Sequence, residues 1–159
     1  MIRIATNEDF NFVYKLYMHP EVNRFLLYEM MEEAAFKPIY KDLLDSAVKF
    51  IYTENGIPVG MFKLVPFTYR SAHIVYLGGV AIDPVHAGKG YGSKMMQEMI
   101  AFAGERGFLR IELSVANINE KAINLYQKAG FQKEGVLKKY TFLQSENKFL
   151  DEILMAYLC

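Results

Sequence analysis

The stretch Gly78-Gly79-Val80-Ala81-Ile82-Asp83-Pro84-Val85-His86-Ala87-Gly88-Lys89-Gly90-Tyr91-Gly92-Ser93 decides how the rest of the chain is read. It begins inside a strand, because His73 to Asp83 is mostly apolar, and it ends as a loop that opens a helix. Glycine weakens the interior of a strand. The pair Gly78-Gly79 therefore points to a bulge or to another backbone or ligand lying close, or else to packing against a helix. Past Pro84, three alternate glycines let the backbone turn tightly and aim N–H groups at one point. The helix that follows adds its own free N–H groups and the positive end of its dipole. Lys89 and Lys94 lie alongside, with no acid between His86 and Ser93. Such a site suits a phosphate or pyrophosphate; the alternative is a glycine-rich turn that holds nothing.

Working outward, Met1 to Ala5 alternates as a short strand. Thr6 then suits the N-cap of a helix carrying Phe10, Val13, Tyr14 and Tyr17 on one face. His19-Pro20 ends that helix, and residues 21–46 read as helical again with a break near Pro38. Val48, Phe50 and Tyr52 alternate, Asn55-Gly56 makes a hairpin turn, and Val59 to Phe67 reads as the partner strand. Downstream of the loop, a helix presents Met95, Met96, Met99, Ile100 and Ala103 and stops at Gly104 and Gly107. Phe108 to Val115 is the next strand. Asn119 caps a helix with Ala122, Leu125, Tyr126 and Ala129 on one side, and Gly130 stops it. Two strands, at 131–143 and 149–158, close the chain as an antiparallel pair. The order is α/β with a mixed sheet.

The chain has 159 residues, 52% hydrophobic and 23% charged, so a single folded domain over 1–159 is expected and disorder is not. Lys+Arg and Asp+Glu are both 18, a balance that argues against a nucleic-acid partner while leaving room for a local phosphate pocket. The longest apolar run, Ile74 to Ile82, is far short of the ~20 residues that span a bilayer, so no membrane partner is expected. Arg3, Glu8 and Asp9 near the start speak against a signal peptide, and a cytoplasmic location is expected. The single cysteine, Cys159, can form no intrachain disulfide and no cysteine cluster for zinc; no metal is expected.

Two common phosphate loops fit poorly. The P-loop string Gly-x-x-x-x-Gly-Lys-Ser/Thr is absent. A dinucleotide loop needs Gly-x-Gly-x-x-Gly, and Ser93 stands where its third glycine belongs. Glu112 falls about twenty residues on, as a ribose-binding acid would, yet it lies inside a strand and not at its end.

Ala87-Gly88-Lys89-Gly90-Tyr91-Gly92 resembles the acetyl-CoA-binding motif of the GNAT superfamily of N-acetyltransferases, Gln/Arg-x-x-Gly-x-Gly/Ala. Ala87 departs from the usual first residue, which removes a side-chain contact and leaves the backbone donors. A second region, Asn-x-x-Ala-x-x-x-Tyr-x-x-x-Gly-Phe, is present as Asn119, Ala122, Tyr126, Gly130 and Phe131. The tail, with Gly135, Tyr140, Asp151 and Met155, is similar to members that acetylate amino acids, polyamines or protein N-termini. The likeness covers nearly the whole chain.

The resemblance implies a mixed, mostly antiparallel central sheet with a bulged, splayed middle strand, flanked by helices. It implies an acyltransferase that uses acetyl-CoA as cosubstrate and moves the acetyl group to a primary amine by direct transfer in a ternary complex. The amine would be an amino acid, a polyamine, a small-molecule amine or a protein N-terminus. Dimers are common in the family. By the same resemblance, the Val80 N–H would stabilise the oxyanion, and the backbone of Val80 and Ile82 would pair with the pantetheine arm. Gly88, Lys89, Gly90, Tyr91, Gly92 and Ser93 would hold the pyrophosphate. Asn119 would bind the cofactor arm, beside its plainer role as helix cap. Tyr126 would protonate the departing thiolate, or else serve as a buried aromatic. Candidates for the general base are Tyr76, Glu112 and ordered water. The acceptor would lie under the segment around Phe25, Leu26 and Tyr28. A non-catalytic acyl-CoA sensor on the same fold is the alternative.

Overall fold

Asn55 and Gly56 both take left-handed backbone angles, φ 51° and 78°. That is the two-residue turn whose twist matches a hairpin. It joins β2 (Lys49–Glu54) to β3 (Ile57–Pro66), which pair antiparallel. The computed structural model describes residues 1–159. Its other strands are β1 (Ile2–Ile4), β4 (Ile74–Ile82), β5 (Arg110–Ala116), β6 (Gln132–Leu143) and β7 (Lys148–Leu158). The helices are α1 (Phe10–Tyr17), α2 (Pro20–Asn23), α3 (Glu33–Asp45), α4 (Tyr91–Glu105) and α5 (Glu120–Lys128). The strands hydrogen-bond in the order β1-β2-β3-β4-β5-β7-β6. β4 and β5 are parallel, from Ile74↔Arg110 to Tyr76↔Glu112, while β1–β2, β5–β7 and β6–β7 are antiparallel. This is the mixed, mostly antiparallel sheet expected. No helix is long and apolar enough to cross a membrane.

The chain divides into two compact units, Met1–Leu64 with Gly79–Met95, and Val65–Gly78 with Met96–Cys159. The core of the first gathers Val13, Leu16, Tyr17, Phe36, Tyr40, Leu43, Ile51, Met61 and Ala81. Its entry is fixed locally. The Asp9 carboxylate accepts the Thr6 N–H at 2.9 Å and two hydrogen bonds from the Arg3 guanidinium, each 2.7 Å. Burial pushes the Asp9 carboxyl up, but the Arg3 and Thr6 hydrogen bonds outweigh it and hold it below its usual value.

Here the structure departs from the expected break at Pro38. Pro38 lies inside α3, and within 21–46 the residues outside α2 and α3 are 24–32 and Ser46. A proline there removes one helical hydrogen bond, typically ~3 kcal/mol with its steric cost. Fully burying a large apolar side chain returns ~1.5–3 kcal/mol, and Phe36, Tyr40 and Leu43 all bury from this helix.

In the second unit Gly130 ends α5 with φ 101°, and a Cβ there would come within 3.0 Å of the Tyr157 ring. Phe131 packs between Tyr126 and Tyr157, with ring centroids 5.9 and 5.6 Å away. Arg110 ties Glu112 at 2.7 Å and Glu134 in a two-point pair. The edge strand β6 is irregular against β7 between Lys133 and Gly135 and between Leu137 and Thr141. Such breaks twist an exposed edge away from further pairing.

Candidate active site

β4 enters the first unit at Gly79, whose backbone is left-handed at φ 56° in the middle of the strand. That is a bulge conformation, and Gly79 needs it bare: a Cβ would meet the Tyr17 hydroxyl at 2.8 Å and lie 3.4 Å from the Lys49 ammonium nitrogen. Val80 and Ile82, both half-buried, follow on the same strand. Asp83 ends it by accepting the Val85 N–H at 3.1 Å, with Lys15 3.4 Å from the same carboxylate.

The loop then turns through Gly88 and Gly90, each at φ 77°. Ala87, Gly88, Lys89 and Gly90 are exposed. Gly92 is no turn residue; it lies in the first turn of α4. The first helical hydrogen bond runs from the Lys94 N–H to the Gly90 carbonyl at 3.2 Å. By helix geometry the N–H groups of Tyr91, Gly92 and Ser93 are left for another acceptor. The Lys94 ammonium is tied to Glu54 at 2.9 Å, so Lys89 is the cation left for an anion. His86 is half-buried against the Tyr91 ring, and its Nδ1 has no hydrogen-bond partner.

Asn119 and Tyr126 belong to the second unit. The Asn119 carboxamide oxygen accepts the Ala122 N–H at 3.3 Å, so the cap is real and the amide NH2 remains a donor. Tyr126 is 7% exposed; burial, with a smaller contribution from Tyr76, pushes its hydroxyl well above the usual tyrosine value and keeps it protonated. Of the two side chains considered as base, Glu112 is held by Arg110, and Tyr76 shares a 3.0 Å hydrogen bond with Ser114. Burial raises the Tyr76 hydroxyl as well, which suits a donor better than a base.

Lys49, 0% exposed, had no place in the sequence reading and Tyr17, 1% exposed, only one on a helix face; a 3.1 Å hydrogen bond joins them beside Gly79. Burial, then the nearby Lys63, lowers Lys49 well below the ordinary lysine value. The available signal was a lysine inside the apolar run Val48-Lys49-Phe50-Ile51-Tyr52.

The model of the acetyltransferase (GNAT) family matches residues 8–131. The chain belongs to the GNAT family of acetyltransferases. Among curated GNAT relatives, the L-amino acid N-acetyltransferase AaaT of Escherichia coli is 29% identical over 98% of this chain and 96% of its own length. The probable N-acetyltransferase camello of Xenopus tropicalis is 30% identical over 69% of this chain, and the match spans only 54% of that longer relative. The spermidine N-acetyltransferase of Vibrio cholerae, solved with CoA and spermine, shares the GNAT fold at a TM-score of 0.86 and 21% identity, over 99% of this chain and 94% of that one.

Proposed function

We propose that residues 1–159 act as one acetyl-CoA-dependent N-acetyltransferase domain that moves the acetyl group directly to a primary amine. The observation that carries this is the left-handed pair Gly88 and Gly90 leading into the start of α4, just after a strand bulged at Gly79, in a chain of the GNAT family. The donor set fits a pyrophosphate: three free backbone N–H groups, the exposed Lys89 beside them, and no acid in the loop.

In this reading Gly88, Lys89, Gly90, Tyr91, Gly92 and Ser93 hold the pyrophosphate. The backbone of Val80 and Ile82 holds the pantetheine arm, and Asn119 donates its NH2 to it. The Val80 N–H stabilises charge that grows on the thioester oxygen as the amine attacks. Tyr126, protonated by burial, gives its proton to the leaving thiolate. L-amino acids are the first acceptors to try, since the AaaT relative named for them aligns along nearly its whole length.

Acetyl-CoA at ~100 times its dissociation constant should stabilise the fold by ~2.7 kcal/mol. A thermal melt reads this directly. Gly90→Val should abolish the shift, because its Cβ points into space that the protein leaves open and its backbone would be strained at φ 77°. An undiminished shift in a folded Gly90→Val variant would contradict the pyrophosphate assignment.

A further inference from the structure

The side chains of β5 and β7 alternate across the sheet. Ile111, Leu113, Val115, Ile153 and Met155 share one face and are buried. Ser114, Glu152 and Leu154 share the other and are half-buried, so that face stays partly open. Tyr76 joins it from β4, paired in register with Glu112 and with its hydroxyl 3.0 Å from Ser114 Oγ. All of these residues, and Tyr126, lie in the second unit.

Glu152 stands apart from the other acids. It accepts a hydrogen bond from the Thr141 hydroxyl at 2.6 Å and forms no ion pair. The other carboxylates that are not exposed, those of Asp9, Glu54, Asp83, Glu112 and Asp151, each have an arginine or lysine partner. A half-buried carboxylate has lost part of its hydration, and one neutral hydroxyl returns little of it. A cation delivered to this face would return the rest. The fold itself has no need of the charge, since a glutamine would accept the same hydrogen bond from Thr141.

The position of Glu152 says which cation. Its β7 register sets it diagonally across from Ser114, ~7–8 Å between Cα atoms, within reach of a long side chain or a small ligand. Glu152 acts on the Tyr76 hydroxyl, and Tyr76 in turn acts on Tyr126. The nitrogen that attacks the thioester must come close to the group that Tyr126 protonates, whereas Glu152 lies one tyrosine further along. Glu152 therefore meets a different part of the acceptor. We propose that Glu152 is a specificity-determining residue that selects acceptors with a second positive charge, a diamine, a polyamine or a basic amino acid, by pairing with that charge. The proposal rests on the acetyl-transfer reading above and names its substrate class. An ammonium paired with Glu152 is kept charged and does not attack; the acceptor's other amine is the nucleophile.

The test measures initial rates of the full chain with acetyl-CoA and two pairs of primary amines, putrescine against pentylamine and L-lysine against L-norleucine. Within each pair one member lacks the second ammonium. In at least one pair the wild type should favour the member that has it by ~10–100-fold in kcat/KM, between the worth of an exposed and a buried ion pair, and the difference should lie in KM. In Glu152→Gln that preference should vanish, and in Glu152→Lys it should reverse; a purely structural role would lower the rates of both members together. Should a variant fail to fold, the wild-type preference still decides. A wild type with no preference in either pair overturns the proposal, and so does a folded Glu152→Gln that keeps the preference; both leave the acetyl-transfer reading intact. No acetylation of either putrescine or L-lysine also overturns it, and if no amine at all is acetylated the acetyl-transfer reading falls with it.

Discussion

Tyr126 is buried on α5 with its hydroxyl held protonated by burial, so packing leaves it the proton that the proposed acid role requires. A CoA thiol resembles a free cysteine, with a pKa of about 8.5, and leaves fairly well unaided. Tyr126→Phe should lower kcat by about ten- to a hundredfold, at the low end for a general acid, with acetyl-CoA affinity unchanged. Steady-state rates and a direct titration of the variant check this, and full activity would return Tyr126 to packing alone. Lys49 gives a stability prediction of its own. Its proton is held less tightly in the folded state than in the unfolded chain, where the ordinary value is 10.5. Between the lowered value and 10.5 the unfolded chain binds more protons, so the penalty from Lys49 shrinks as pH rises. Lys49→Met should therefore be more stable than the wild type at pH 7, and the gap should close as pH climbs toward 10. Urea melts of both proteins across that range measure it; a gap independent of pH would contradict a neutral, disfavoured Lys49.

At the scale of the elements, Gly79 is the one left-handed residue in β4. Placing alanine there costs ~1–2 kcal/mol for the left-handed backbone, before its Cβ meets the Tyr17 hydroxyl. Gly79→Ala should lower Tm by roughly 2–8 °C and lower acetyl transfer with it. An unchanged melt would mean that β4 straightens without loss. The loop, the Asn119 cap and the turn at Asn55-Gly56 were legible because each is a local demand on particular residues at fixed spacing. The same is true of the two hairpins, β2 with β3 and β6 with β7. Residues 24–32 were not legible, since Phe25-Leu26-Leu27 looks as apolar as a helix face, and Pro38 misled because tertiary burial outweighed a local preference. The Lys49–Tyr17 pair was hidden for another reason. β2 is buried on both faces, so the alternation of Val48, Phe50 and Tyr52 masks the residues between them. Its partner lies 32 residues away, beyond any local pattern.

At the scale of the whole molecule, one compact unit carries β4 from Gly79 onward, the glycine loop and the buried lysine, and the other carries Asn119 and Tyr126. A neutral overall balance of 18 basic and 18 acidic residues gives no long-range attraction for a polyanion, so affinity for CoA must come from local donors. The claim that joins all of this is acetyl transfer to nitrogen, and the most direct measurement is its stoichiometry. The purified protein is incubated with acetyl-CoA and a panel of primary amines headed by the L-amino acids. Free CoA thiol and N-acetylated amine are then quantified together. The account predicts that both accumulate one for one, beyond the enzyme-free control, with at least one amine. Acetyl-CoA that binds and stabilises the fold while no amine on the panel is acetylated would contradict it.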